Sequence, residues 1–100
     1  MDWELIKEKY PKASESLQKW AKGEEGFIIG ADPRVLYDFF DGEGIYIVMG
    51  RGGGEFFWMV DEFLDCLDDG GYEKTRTEAE EQAFLKAFEI LNRSFPFEIY

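Results

Sequence analysis

Residues 45–60 read Ile45-Tyr46-Ile47-Val48-Met49-Gly50-Arg51-Gly52-Gly53-Gly54-Glu55-Phe56-Phe57-Trp58-Met59-Val60. β-Branched and aromatic residues on both sides of a glycine run predict two strands, 45–49 and 55–60, joined as a hairpin. Alternation places Phe56, Trp58 and Val60 on one face of the second strand and Phe57 and Met59 on the other. Both faces are apolar, which suits strands that lie under helices or at an interface. The run Gly50-Arg51-Gly52-Gly53-Gly54 also invites a phosphate-loop reading, because glycines let backbone amides close on an anion. That reading fails on context: a Walker loop needs Gly-Lys-Ser/Thr leading into a helix, whereas here strand leads to strand. The expectation is a mobile five-residue hairpin loop.

Downstream of the hairpin, Asp61 to Asp69 fits a helical turn or an irregular acidic loop, Gly70-Gly71 marks a turn, and 72–74 suits a short strand. Thr77-Glu78-Ala79-Glu80 reads as a capping box opening a helix to about Asn92, with Ala83, Phe84, Ala87, Phe88 and Leu91 as its buried stripe. Pro96 stops further helix, leaving 95–100 to dock as an edge strand or to cover the core. Upstream, Trp3, Ile6, Tyr10, Ala13, Leu17 and Trp20 follow three- and four-residue spacings, and Pro11 divides their stripe into helices over 3–9 and 11–21. Gly23 is the stop signal for the second. Phe27-Ile28-Ile29 is too short to classify. Asp32-Pro33 predicts an N-cap and a helix through Phe40 with Leu36, Phe39 and Phe40 inward, ended by Asp41-Gly42-Glu43-Gly44.

These elements imply a single α+β domain over 1–100: N-terminal helices, a small two- or three-stranded antiparallel sheet, and a long C-terminal helix packed on it. The composition, 45% hydrophobic and 18% aromatic, suits a folded body and not an acidic tail. Its formal charge of −11 is concentrated in the middle, where thirteen carboxylates between Gly23 and Glu73 face only Arg34 and Arg51. Such a field repels nucleic acid and acidic membranes and attracts basic surfaces. The densest run supplies the candidate partner-binding residues Asp61, Glu62, Asp65, Asp68 and Asp69.

A calcium loop can be tried on that run with Asp65 first, which puts Asp69 fifth and Gly70 sixth. It then places Leu67 third and Arg76 twelfth, where a bidentate Glu is required, so the run reads as a solvated acidic loop, with a loose divalent site as the alternative, and no metal site and no cofactor are expected. The chain has no histidine and one cysteine, Cys66, which removes the commonest general base and the usual zinc ligands. Cys66 reads as a small hydrophobe at the core's edge, and no enzyme activity is expected. With no signal-like opening, no long apolar run and no internal disulfide, the expected place is cytoplasmic and away from membranes.

The segment 75–91, Thr75-Arg76-Thr77-Glu78-Ala79-Glu80-Glu81-Gln82-Ala83-Phe84-Leu85-Lys86-Ala87-Phe88-Glu89-Ile90-Leu91, together with Ile6-Lys7-Glu8-Lys9-Tyr10-Pro11-Lys12-Ala13, resembles small uncharacterised acidic proteins of bacterial phages and integrated mobile elements. A Thr-capped, Ala-rich helix after a small sheet also resembles HicB-type antitoxins, but this chain lacks their Pro-Gly turn between strands and begins with helix instead of strand. The resemblance implies a host or element and no activity. The expected function is therefore non-enzymatic: an acidic interaction protein of a phage or mobile element that binds a basic protein surface. The alternatives are a homo-oligomeric structural protein, such as a homodimer joined by its apolar strands, and a DNA-mimic inhibitor.

Overall fold

The computed structural model of the chain describes residues 2–62 and 69–94. In order these form α1 (Trp3–Lys9), α2 (Pro11–Ala21), α3 (Glu25–Gly30), a 3-10 turn (Pro33–Val35), α4 (Leu36–Gly42), β1 (Ile45–Gly52), β2 (Glu55–Glu62), β3 (Asp69–Glu73) and α5 (Arg76–Ser94). The strands make an antiparallel sheet in the order β1-β2-β3, and α5 lies across one face of it, touching all three. The architecture is α+β, with N-terminal helices and a long C-terminal helix on the sheet. Expectations for Asp65, Asp68, Cys66 and the tail 95–100 fall outside the described residues.

Pro11 divides the first two helices where its ring requires, at N1 of α2 with Tyr10 out of the helical region. Tyr10 brings no side-chain cap, so the first amides of α2 need another acceptor. Asn92 on α5 provides it: its Oδ1 accepts from the backbone N–H of Lys12 at 2.9 Å and of Ala13 at 3.2 Å. One helix thus caps another across most of the chain's length. α2 ends on Lys22 in the left-handed region (φ 53°), and Gly23 follows it.

Ile6, Ala13 and Leu17 of the expected stripe are buried, with Trp3 and Tyr10 packed at its margin. Trp20 departs from it: 43% exposed, it rests its ring on Phe39 at 5.5 Å, and the stripe's buried end is Ala21 instead. Phe27-Ile28-Ile29 belongs to α3, which buries both isoleucines and leaves Phe27 outside. The helix opening at Asp32-Pro33 also differs from expectation. Asp32 makes no side-chain cap, Pro33 starts a 3-10 turn, and α4 follows at Leu36. The inward set Leu36, Phe39 and Phe40 is fully buried as expected. Phe40 sits edge-on to Phe88 at 5.0 Å and stacks near Phe84 at 6.4 Å, which joins α4 to α5 in the centre of one apolar cluster.

The N-cap of α5 is two residues earlier than the sequence reading placed it. Thr75 Oγ1 accepts from the Glu78 backbone N–H at 3.1 Å and donates to the Glu78 carboxylate at 3.1 Å. Thr75 is therefore the cap and Glu78 the N3 residue, while Thr77 lies inside the first turn. The predicted stripe Ala83, Phe84, Ala87, Phe88 and Leu91 is buried throughout.

Within the sheet the glycines do something other than turn the chain. Only Gly53 (φ 63°) and Gly54 (φ 83°) form the hairpin turn, both in the positive-φ region that a two-residue type I′ turn needs. Gly50, Arg51 and Gly52 are strand, paired with Phe57, Phe56 and Glu55, so the expected five-residue mobile loop is absent. Gly70 and Gly71 likewise lie in β3, opposite Met59 and Trp58, where a turn was expected. A Cβ on Gly70 would come within 2.4 Å of the Trp58 carbonyl oxygen, and one on Gly71 within 3.1 Å of the Trp58 indole. Close approach by β2 explains both residues.

Candidate functional site

The two faces of the sheet differ sharply. On the α5 side lie Ile45, Ile47 and Met49 of β1 with Phe56, Trp58 and Val60 of β2; Ile45, Trp58 and Val60 are buried, and the other three pack against the core. The opposite side carries Tyr46, Val48 and Gly50 of β1, Phe57, Met59 and Asp61 of β2, and Gly70 and Tyr72 of β3. Tyr46 is 41%, Val48 43% and Tyr72 67% exposed. Among the described residues no helix is laid over this second face, hereafter the bare face.

Its relief follows from the register. Phe57 lies over Gly50, where any Cβ would sit 2.1 Å from the ring, and meets Tyr72 edge-on at 6.4 Å. Met59 leans over Gly70, where a Cβ would be 3.1 Å from the Met59 Cγ. The glycines on the edge strands thus let the large side chains of β2 lie down, and Tyr46, Val48 and Tyr72 stand up around them. In the remaining row Tyr46 pairs with Asp61, so a half-buried carboxylate ends the aromatic surface.

Acidic residues gather at that end. Ile45 pairs with Glu62, Tyr46 with Asp61 and Val60 with Asp69, so the start of β1, the end of β2 and the start of β3 coincide there. Glu43, which caps the end of α4, adds to the same end, because only Gly44 separates it from β1. The hairpin end, with Arg51, is the opposite one. Of the expected partner-binding residues, Asp61, Glu62 and Asp69 are brought to this end in strands and not in the expected loop or helical turn, Asp61 at a register position of the bare face and Glu62 and Asp69 at positions of the α5 side. The calcium register is also unsupported by the backbone, since Gly70 stands in a ladder opposite Met59 and not in a sharp turn. Among the described residues no group of three or more acidic or cysteine side chains is arranged to hold a metal ion. Nor is any helix among them long and apolar enough to cross a membrane.

Glu80, expected in the capping box, has a different role. It is nearly buried on α5, accepts a hydrogen bond from the Tyr37 hydroxyl at 2.9 Å and stands 3.8 Å from Arg34 Nε. Burial, then the adjacent carboxylate, pushes the Tyr37 hydroxyl up to about 12, so it remains a donor through the neutral range. Tyr37 also packs edge-on to Phe84 at 5.1 Å. The trio fastens α4 and its preceding turn to α5, and its chemistry is that of a structural clasp.

Sequence reasoning had both strand faces apolar, but nothing in 45–60 says which face a helix covers. Tyr46, Val48 and Tyr72 were missed as surface residues for that reason. Comparison with protein-family models, curated proteins and solved structures finds no match to this chain.

Proposed function

We propose that this protein is a non-enzymatic interaction module that seats a partner segment carrying apolar and basic residues on the bare sheet face, with the acidic end of the sheet holding the segment's lysines or arginines. The observation that carries the reading is the row Tyr46–Asp61: the aromatic surface and the acidic end are continuous there. Three strands about 4.8 Å apart and up to eight residues long give a face of roughly 400 Å². A standard protein interface takes about 800 Å² from each partner, so this face suits a short peptide segment better than a globular surface. A cytoplasmic protein of a phage or mobile element is the setting this reading assumes, on the resemblance of residues 75–91 and 6–13.

Calorimetry with an amphipathic leucine–lysine peptide tests it. Binding should weaken as salt rises, and combined Asp61→Asn, Glu62→Gln and Asp69→Asn replacement should lower affinity and flatten the salt dependence. Equal affinity for the matching leucine–glutamate peptide, or no response to the triple replacement at low salt, contradicts the proposal.

A homodimer is the second reading, favoured by the position of β1 at the edge of the sheet beside the exposed Tyr46 and Val48. The face alone falls short of a stable dimer by the same area argument, so β1 would have to pair with its copy. Light scattering at twice the 11.7 kDa chain mass would support it, and a monomer at high concentration would exclude it.

A further inference from the structure

At the hairpin end, on the α5 side of the sheet, Met49, Gly50, Arg51 and Phe56 enclose with Arg76 an open cavity of about 310 Å³. It exists because α5 begins at Arg76 while the hairpin carries β1 and β2 onward to Gly52 and Glu55, so that the last cross-strand pairs extend beyond the helix. Two arginines, both exposed, line this one cavity in a chain whose net charge is −11.

Arg51 is held in place: its guanidinium carbon lies 5.7 Å from the centre of the Phe56 ring, in cation–π range, and Phe56 is its direct cross-strand partner. Arg34 shows how this protein satisfies a structural arginine, by setting it against the nearly buried Glu80. Neither Arg51 nor Arg76 makes an ion pair among the described residues. A carboxylate on the same sheet face, Glu73, is engaged by the Trp58 indole N–H at 3.4 Å. An anion held between two arginines that line one cavity gains from both charges, and the planar guanidinium fork matches carboxylate and phosphate oxygens in pairs.

We propose that this cavity is a binding site for a small organic anion, whose carboxylate or phosphate group bridges Arg51 and Arg76 while its apolar body rests on Met49 and Phe56. The volume is at the lower end for small-molecule sites, which limits the ligand to about one ring and its anionic group. The site is at the opposite end of the sheet from the acidic cluster and does not depend on the partner-binding reading.

The experiment is an NMR titration of the intact ¹⁵N-labelled protein with phenyl phosphate, benzoate, inorganic phosphate and benzyl alcohol, followed at the backbone amides and at the arginine Nε–H signals. Phenyl phosphate or benzoate should shift Gly50, Arg51, Phe56 and Arg76 saturably at millimolar concentration, together with the Nε–H groups of both arginines, and benzyl alcohol should not. Preference between phenyl phosphate and benzoate identifies the anionic group. Arg51→Gln and Arg76→Gln should each weaken binding about tenfold, as expected for losing a charge-assisted contact. Arg51→Lys, which keeps the charge and loses the fork, should also bind more weakly. The proposal is overturned if no oxyanion gives saturable shifts at these residues in the wild-type protein. It is equally overturned if the double glutamine variant binds as well, or if inorganic phosphate binds as tightly as phenyl phosphate, which would leave the apolar wall without a role.

Discussion

The same three strands present two apolar faces, yet among the described residues one is filled by α5 and the other keeps Tyr46, Val48 and Tyr72 exposed. On the covered face, the buried Trp58 and Val60 share one cluster with Phe84 and Phe88 of the helix and Phe40 of α4. On the bare face, Tyr46, Val48 and Tyr72 project while Phe57 and Met59 lie over glycines. Stability should therefore reside on one side and recognition on the other. Substitutions can test this division directly.

The largest effect is expected on the covered side. Phe88→Ala removes a fully buried ring that meets Phe40 edge-on, and should cost roughly 3–5 kcal/mol in a denaturant titration, a large part of a small domain's stability. A nearly unchanged midpoint would mean that the helix does not close the core. Gly70→Ala comes next and sharpens the contrast, because it acts from the bare side, through the β2 backbone and the Met59 side chain. Its Cβ would stand 2.4 Å from the Trp58 carbonyl oxygen, so about 1–3 kcal/mol should be lost to overpacking as β2 and β3 separate.

The helix start gives a smaller effect. Thr75→Ala should cost about 1 kcal/mol through the lost cap, and Thr77→Ala within about 0.5 kcal/mol of nothing, since only Thr75 bonds the N3 amide. The reverse order would restore the box at Thr77. Smallest of all should be Val48→Lys, within about 0.5 kcal/mol of wild type because its side chain is already exposed, while Tyr72→Lys should cost about 0.5–1 kcal/mol through the lost ring contact with Phe57. A loss of several kcal/mol at either would show that the bare face is buried in the protein's working state, as the homodimer reading requires.

Which features could be read in the sequence follows from the range of the forces behind them. Pro11 set the break between α1 and α2, and the spacing of Ala83, Phe84, Ala87, Phe88 and Leu91 set the buried stripe, because proline stereochemistry and helical periodicity act within a turn or two. The cap was harder: Thr75-x-x-Glu78 and Thr77-x-x-Glu80 are overlapping frames of one motif, and the choice depends on where β3 ends and on Glu80 being drawn to Tyr37. Gly70-Gly71 was read as a turn from local propensity, whereas its reason lies across the ladder in Trp58 and Met59. The capping of α2 by Asn92 is still less local, eighty residues away along the chain from Lys12. Of the candidate site, the charge concentration was visible in composition. Its convergence on one end of the sheet, and its continuity with Tyr46, required the strand register.

The most direct test of this division is to map where a basic amphipathic peptide touches the protein, by following backbone amide and Val48 and Met59 methyl signals during titration with the leucine–lysine sequence. Shifts confined to Tyr46, Val48, Met59, Asp61 and Tyr72, with Ile47, Trp58 and the amides of α5 unmoved, are the predicted result. Shifts centred on α5 or on the N-terminal helices, with the bare sheet face silent, would contradict it.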